Sequence, residues 1–226
     1  MRDSYTKFFL EGYISKEKFF EFGLKETIYS PYDKAEREWL ALKNKIKNDD
    51  DVFMRGFGRD ANGTHLFQEF YKHLLGLTHV KKDSTNNAEP TKIIRELTGY
   101  SKTKSTKHES IRNYQISHIF GRTKNIYAFT APWNIVYMPK MLDPFTGHEA
   151  KGDLIDEYTV LFQNQGYNKF AALIEEFNEI ITNMKFLDKV EYSLSLMESD
   201  HSFSGQEIDK LRKSINDEFA PIEVNA

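Results

Sequence analysis

Between residues 111 and 139 the apolar pattern changes period, and this narrows the fold more than any other feature of the chain. Tyr114, Ile116, His118 and Phe120 alternate with Gln115, Ser117 and Ile119, the two-residue repeat of a strand. Asn134 opens a second apolar run, Ile135-Val136-Tyr137-Met138, which Pro139 stops. Gly121-Arg122-Thr123-Lys124-Asn125 reads as a turn, and Tyr127-Ala128-Phe129 as an extension of the sheet before Pro132. On either side the repeat is three to four residues instead. Ala35, Trp39, Leu42 and Ile46 predict a helix over 33–48 with Asp33 as its cap. Leu66, Phe67, Phe70 and Leu74 predict one over 64–75, and Pro90 starts another through Leu97. After an Asp143-Pro144-Phe145-Thr146-Gly147 turn, a helix is expected from 148 to 162 and a second from 168 to 186. Residues 188–203 read as a short strand or helix, and Ser204 with Glu207 forms the capping box of a last helix. The expected fold class is α+β: a mainly helical chain carrying a central pair of strands.

Size allows one good core or two small ones, since 226 residues with 39% hydrophobic and 14% aromatic content make a foldable chain. No apolar run approaches the roughly 18 residues of a membrane span, and the first residues lack the pattern of a signal peptide. The absence of cysteine removes disulfides and thiolate metal sites and fits a cytoplasmic protein. Three regions are expected: a mainly helical 1–100, a central segment 101–165, and a helical 166–226.

Charge is unevenly spread. The chain as a whole is −3, but residues 101–152 carry +5 and residues 153–226 carry −9. The positive excess falls on the segment with the strand pattern, where a polyanion would sit. Lys102, Lys104 and Lys107 lie in a stretch of hydroxyls and cations with no apolar residue, which reads as a loop or a phosphate-facing arm. Arg122, Lys124, Lys140 and Lys151 are further phosphate candidates. The Gly-rich run 55–63 matches no nucleotide-binding pattern, so no nucleotide cofactor is expected. Asp49-Asp50-Asp51 reads as a solvated loop, and His65, His73 and His79 as ordinary helix residues.

His118, Asn134 and His148 stand in a strand, strand, helix setting, 16 and 14 residues apart. This arrangement, over roughly residues 111 to 165, resembles the HNH endonucleases, whose fold is the ββα-metal finger. The resemblance implies that His118 is the general base, Asn134 the middle Asn and His148 a metal ligand on the helix. It also implies hydrolysis of double-stranded DNA with Mg²⁺ or another divalent cation such as Mn²⁺. Asn134 and Asp143 are the other candidate ligands. Three departures are visible: Ser117 stands where many members carry Asp, the paired CxxC knuckles are absent, and the stretch from Asn134 to His148 is longer than in compact members. A stand-alone type II restriction endonuclease is the form expected, acting as a homodimer because two single-strand cuts break a duplex. The regions 1–100 and 166–226 would then supply recognition and dimerisation. Two rivals remain. Asp143 with Glu149-Ala150-Lys151 resembles the PD-(D/E)xK nucleases, and a non-catalytic DNA-binding or interaction protein would carry the same charge pattern.

Overall fold

The structure, a computed structural model, describes residues 2–56, 63–146, 150–200 and 202–224. Eight helices are described: α1 (Ser4–Leu10), α2 (Lys16–Glu26), α3 (Tyr32–Lys47), α4 (Thr64–Leu75), α5 (Ala88–Thr98), α6 (Asp153–Thr182), α7 (Met184–Ser199) and α8 (Gly205–Glu218). Six short strands are β1 (Val52–Met54), β2 (Val80–Lys82), β3 (Tyr100–Ser101), β4 (Glu109–Ser110), β5 (Tyr114–His118) and β6 (Ile135–Pro139), and a 3-10 segment (Lys140–Thr146) links β6 towards α6. The strands form three two-stranded sheets. The pairs β1–β2 and β3–β4 are parallel, and β5–β6 is antiparallel. The fold is mainly helical with small sheets, within the α+β class.

The β5–β6 pair sits in the middle of the molecule and is covered on both faces. Its register sets Ile116 opposite Tyr137 and His118 opposite Ile135. Ile116, Ile135 and Tyr137 pack with Ile94 of α5, flanked by Ile28, Tyr100 and Tyr114. Val136 and Met138 alternate to the other face and join the main core with Phe162, Phe170 and Phe177 of α6. All five residues of β6 are buried, which explains its unbroken apolar run. Tyr137 also exchanges two backbone hydrogen bonds with Ile28, so β6 is paired on both edges.

One core draws on every part of the chain, from Phe19 to Ile222. Trp133 meets Trp39 of α3 edge to face at a centroid distance of 5.7 Å and Phe177 of α6 at a tilt of 51° and 5.2 Å. The regions 1–100, 101–165 and 166–226 therefore share this core.

Several boundaries differ from the sequence reading. The helices expected at 148–162 and 168–186 form one long run, α6, which begins only at Asp153 and is interrupted at Phe170 (φ −130°, ψ 23°). Residues 188–203 lie largely within a further helix, α7. Tyr127–Phe129 belongs to turns rather than to the sheet. Helix α3 begins at Tyr32, and Asp33 pairs with Arg37 one turn on instead of capping. The polar stretch 81–90 hides a cap: Asp83, fully buried, accepts from the backbone N–H groups of Thr85, Ala88 and Glu89 at 2.7–2.9 Å. Asp49 is likewise no idle loop carboxylate, since it accepts from the backbone and side chains of Thr78 and His79. The hydrogen bond from the Thr78 hydroxyl is the main cause holding its carboxyl down to about 2. The run 55–63 lies largely outside the described residues.

Gly23 marks where α2 meets α6. A Cβ there would stand 2.4 Å from the Tyr158 hydroxyl and 2.6 Å from Leu142 Cγ. Gly23→Ala should therefore destabilise the protein by about 1–3 kcal/mol in urea unfolding, although alanine favours a helix. A neutral or stabilising result would show that α2 can shift away at no cost.

Candidate active site

His118 is the last residue of β5, and the chain leaves it through a tight turn. Gly121 and Arg122 both take positive φ, 68° and 57°. Glycine adopts that conformation freely, whereas arginine does so only when its surroundings impose it. The constraint comes from Asn134. Its Oδ1 accepts from the Phe120 N–H at 2.9 Å, and its Nδ2 donates to the carbonyls of Gly121 at 2.9 Å and Ala128 at 3.0 Å. Its own carbonyl accepts from the Ile119 N–H at 2.8 Å. One fully buried amide thus ties both ends of the 119–134 loop to the start of β6. Asn134, one of the candidate metal ligands, is instead engaged in building the loop.

The imidazole is held from the same loop. His118 Nε2 lies 2.9 Å from the Phe129 carbonyl. A carbonyl only accepts, so Nε2 carries the hydrogen and Nδ1 of the neutral ring carries the basic lone pair. The ring stacks on Phe129, with centroids 5.3 Å apart and planes at 12°. It is only 3% exposed.

Three helices brace the loop from outside. Tyr71 of α4 donates to the Lys124 carbonyl and accepts from the Ile126 N–H. Gln163 of α6 donates to the Ile119 carbonyl at 3.2 Å, and Gly166 lets that helix come close, since a Cβ there would stand 2.9 Å from Ile119 Cδ1. Glu218, at the end of α8, accepts from the backbone N–H groups of Lys124 and Asn125 at 3.0 and 3.1 Å. Burial pushes the Glu218 carboxyl up to about 7, against those two hydrogen bonds and the nearby Arg122 and Lys124 charges. Sequence reasoning missed Glu218 and Tyr71, because neither carries a local motif linking it to residues 122–126.

The remaining candidates are scattered in their surroundings. His148 and Glu149 lie outside the described residues. Asp143 is half-buried in the 3-10 segment, where its carbonyl accepts from the Thr146 hydroxyl. The Ser117 hydroxyl is buried with no hydrogen-bond partner. Strand alternation turns it away from the face that His118 shares with Ile116. Among the described residues no three His, Asp or Glu side chains converge to hold a metal. Neither Asp143 nor Lys151 lies on a strand.

The cations divide into two groups. Lys124 Nζ turns inward to Thr64 Oγ1 at 2.7 Å, and Lys107 pairs with Glu96 at 2.7 Å, so these two expected phosphate contacts are engaged within the protein. Arg122 is half-buried with its Nε unpartnered, and burial holds its guanidinium below the usual value against Glu218 and Asp217. Lys102, Lys104, Lys140 and Lys151 are exposed and form no ion pair among the described residues. Exposed Arg112, which the sequence reading passed over, joins them. Partial desolvation of its ammonium by the protein around it, and then the neighbouring Lys140 charge, hold Lys102 below the ordinary lysine value.

A family model described as uncharacterised protein PM1201 matches residues 30–224. The chain belongs to that family. It is 41% identical over 226 residues to a Pasteurella multocida (strain Pm70) protein with the same description, with 98% of each chain covered. No solved structure matches the chain. The matched span of the family includes both strands of the hairpin and the bracing residue Glu218. No described helix of this family member is long and apolar enough to cross a membrane.

Two outcomes follow for stability. Asn134→Ala leaves the Phe120 N–H and the Gly121 carbonyl without their partner and takes one of two donors from the Ala128 carbonyl, which keeps the Ala131 N–H. At about 1–3 kcal/mol for each unmet group, unfolding in urea should show a loss of roughly 3 kcal/mol or more. Glu218 has a raised carboxyl in the fold, so its contribution is fully present below the unfolded value near 4.5 and is lost as pH rises through about 7. Thermal melts should therefore fall between pH 5 and 8, and Glu218→Gln should flatten that slope. An unchanged slope would place the titration elsewhere.

Proposed function

We propose that the protein is a metal-dependent endonuclease of double-stranded DNA, with His118 as the general base. The observation that carries this reading is the His118 Nε2 to Phe129 carbonyl bond, inside a loop tied by Asn134. A fixed imidazole with its lone pair on Nδ1 suits proton abstraction from water near neutral pH. The holding group is a backbone carbonyl, which keeps the tautomer without adding a charge. The uneven charge supports a polyanion as substrate: +5 over residues 101–152. Lys140 follows the end of the hairpin away from His118, five residues along the chain from Ile135, the partner of His118. That is about 17 Å, or roughly five base-pair rises along a duplex. Lys102 and Lys140 would hold backbone phosphate there while Arg122 lies in the turn beside the base.

A divalent cation, Mg²⁺ or Mn²⁺, would supply Lewis-acid stabilisation of the phosphoryl and leaving 3′ oxygens when bound. His148 and Asp143 are the residues that would hold it. We read the enzyme as a type II restriction endonuclease working as a homodimer, with its recognition surface on the helical parts of the chain. The PD-(D/E)xK reading ranks below this one, because its Asp143 and Lys151 are not carried on strands.

A second reading is favoured by one observation. His118 is nearly fully buried and stacks on Phe129, as a structural histidine would. In that case the same charge pattern belongs to a non-catalytic DNA-binding or interaction protein.

Supercoiled plasmid incubated with the protein and Mg²⁺, with and without EDTA, separates the two. The nuclease reading expects cutting that EDTA abolishes, and His118→Ala should lower it at least 100-fold while a gel shift in EDTA persists. A gel shift with no cutting in any divalent cation would favour the binder.

A further inference from the structure

Glu218 lies 100 residues beyond His118 in sequence, yet an unbroken series of hydrogen bonds joins them. The Glu218 carboxylate accepts from the Lys124 and Asn125 N–H groups on the same oxygen, Oε2. The Glu218 backbone carbonyl accepts from Asn125 Nδ2 at 2.9 Å. Asn125, fully buried, passes the constraint on. Its Oδ1 accepts from the Tyr127 N–H at 2.9 Å, and its backbone carbonyl accepts from the N–H groups of Ala128 at 3.0 Å and Phe129 at 2.8 Å. The Phe129 carbonyl then receives His118 Nε2 at 2.9 Å. Every joint in this series is a bond to a buried or half-buried backbone group, so a displacement at one end has few ways to be absorbed.

We propose that Glu218 is a positioning residue for His118: through the turn 124–129 it fixes where the Phe129 carbonyl stands, and so which imidazole nitrogen carries the proton. Catalytic relevance rests on the nuclease reading above, but the link between the two residues does not. Two N–H donors converge on one oxygen, so what the site requires is an acceptor of the right reach. Glutamine retains that acceptor, alanine removes it, and aspartate falls one methylene short. The groups facing the carboxylate are Arg122 and Lys124 on the turn, Asp217 on α8 beside Arg122, and the Tyr71 hydroxyl on α4. His65, Glu207 and Lys210 line the adjoining cavity.

The test is imidazole nitrogen NMR on the full-length chain labelled with ¹⁵N-histidine, with the His118 signals assigned by their loss in His118→Gln. The wild type should show the tautomer protonated at Nε2. Glu218→Ala should scramble that signature, and plasmid cleavage should fall at least tenfold in kcat, with DNA affinity in EDTA changed less than twofold. Glu218→Gln should restore both. If Glu218→Ala does not fold, Glu218→Asp is read the same way. An unaltered His118 signature in the alanine variant overturns the proposal whatever happens to cleavage, and so does a scrambled signature in the glutamine variant. A wild type that cuts no DNA, with the signature still lost in Glu218→Ala, leaves the positioning role standing and removes the nuclease reading.

Discussion

Asn134 sits where three backbone groups of one loop converge, two of which, the Phe120 N–H and the Gly121 carbonyl, have no other partner among the described residues. A single amide meets them all: its oxygen takes the Phe120 N–H and its nitrogen serves the Gly121 and Ala128 carbonyls. A β-ladder could not do this, because the loop folds back too sharply and Arg122 is forced to positive φ. Neither alanine nor leucine could do it, because each unmet group would keep its desolvation cost. The rest of the central region follows from this bond set. The loop hangs from β6, the Phe129 carbonyl is placed over β5, and His118 is left with one defined tautomer.

The hairpin is protected because two unlike layers cover it. On one face a small group of residues around Ile94 and Tyr137 seals it against α5. On the other, α6 presses in closely enough for Gly166 to meet Ile119. The result is a five-residue ladder that needs no larger sheet for support, although an isolated two-stranded hairpin is at best marginal in water. Burial on both sides also accounts for the nearly closed surroundings of the imidazole.

Local chemistry was legible in the sequence, and chemistry that acts over distance was not. The Ser204–Glu207 capping box is present as expected, because both of its bonds join residues three apart. The alternation from Tyr114 and the apolar run after Asn134 both mark real strands. Strands β1 and β2 left no such trace: each is three residues long, and they pair in parallel across an intervening helix. The helix expected at His148 begins five residues later, at Asp153, after Gly152 with φ 120°. Asp83 looked like part of a polar connector because its N–H donors come from two, five and six residues downstream, in no recognised capping pattern. For the site, the residue types and their order pointed to His118 and Asn134. The helices that brace them were expected, but their contacts with the loop were invisible, since Tyr71, Gln163 and Glu218 reach it from 53, 44 and 94 positions away.

That reach has a consequence for how the molecule is made. A ribosome delivers β5 and β6 long before α8, and domains assemble from the contacts already delivered. Until α8 arrives, the Lys124 and Asn125 N–H groups lack the Glu218 carboxylate, and the Asn125 side chain lacks the Glu218 carbonyl. Nascent chains should therefore carry a formed hairpin with a loosely held 124–129 turn, and the turn should set only once α8 has joined it.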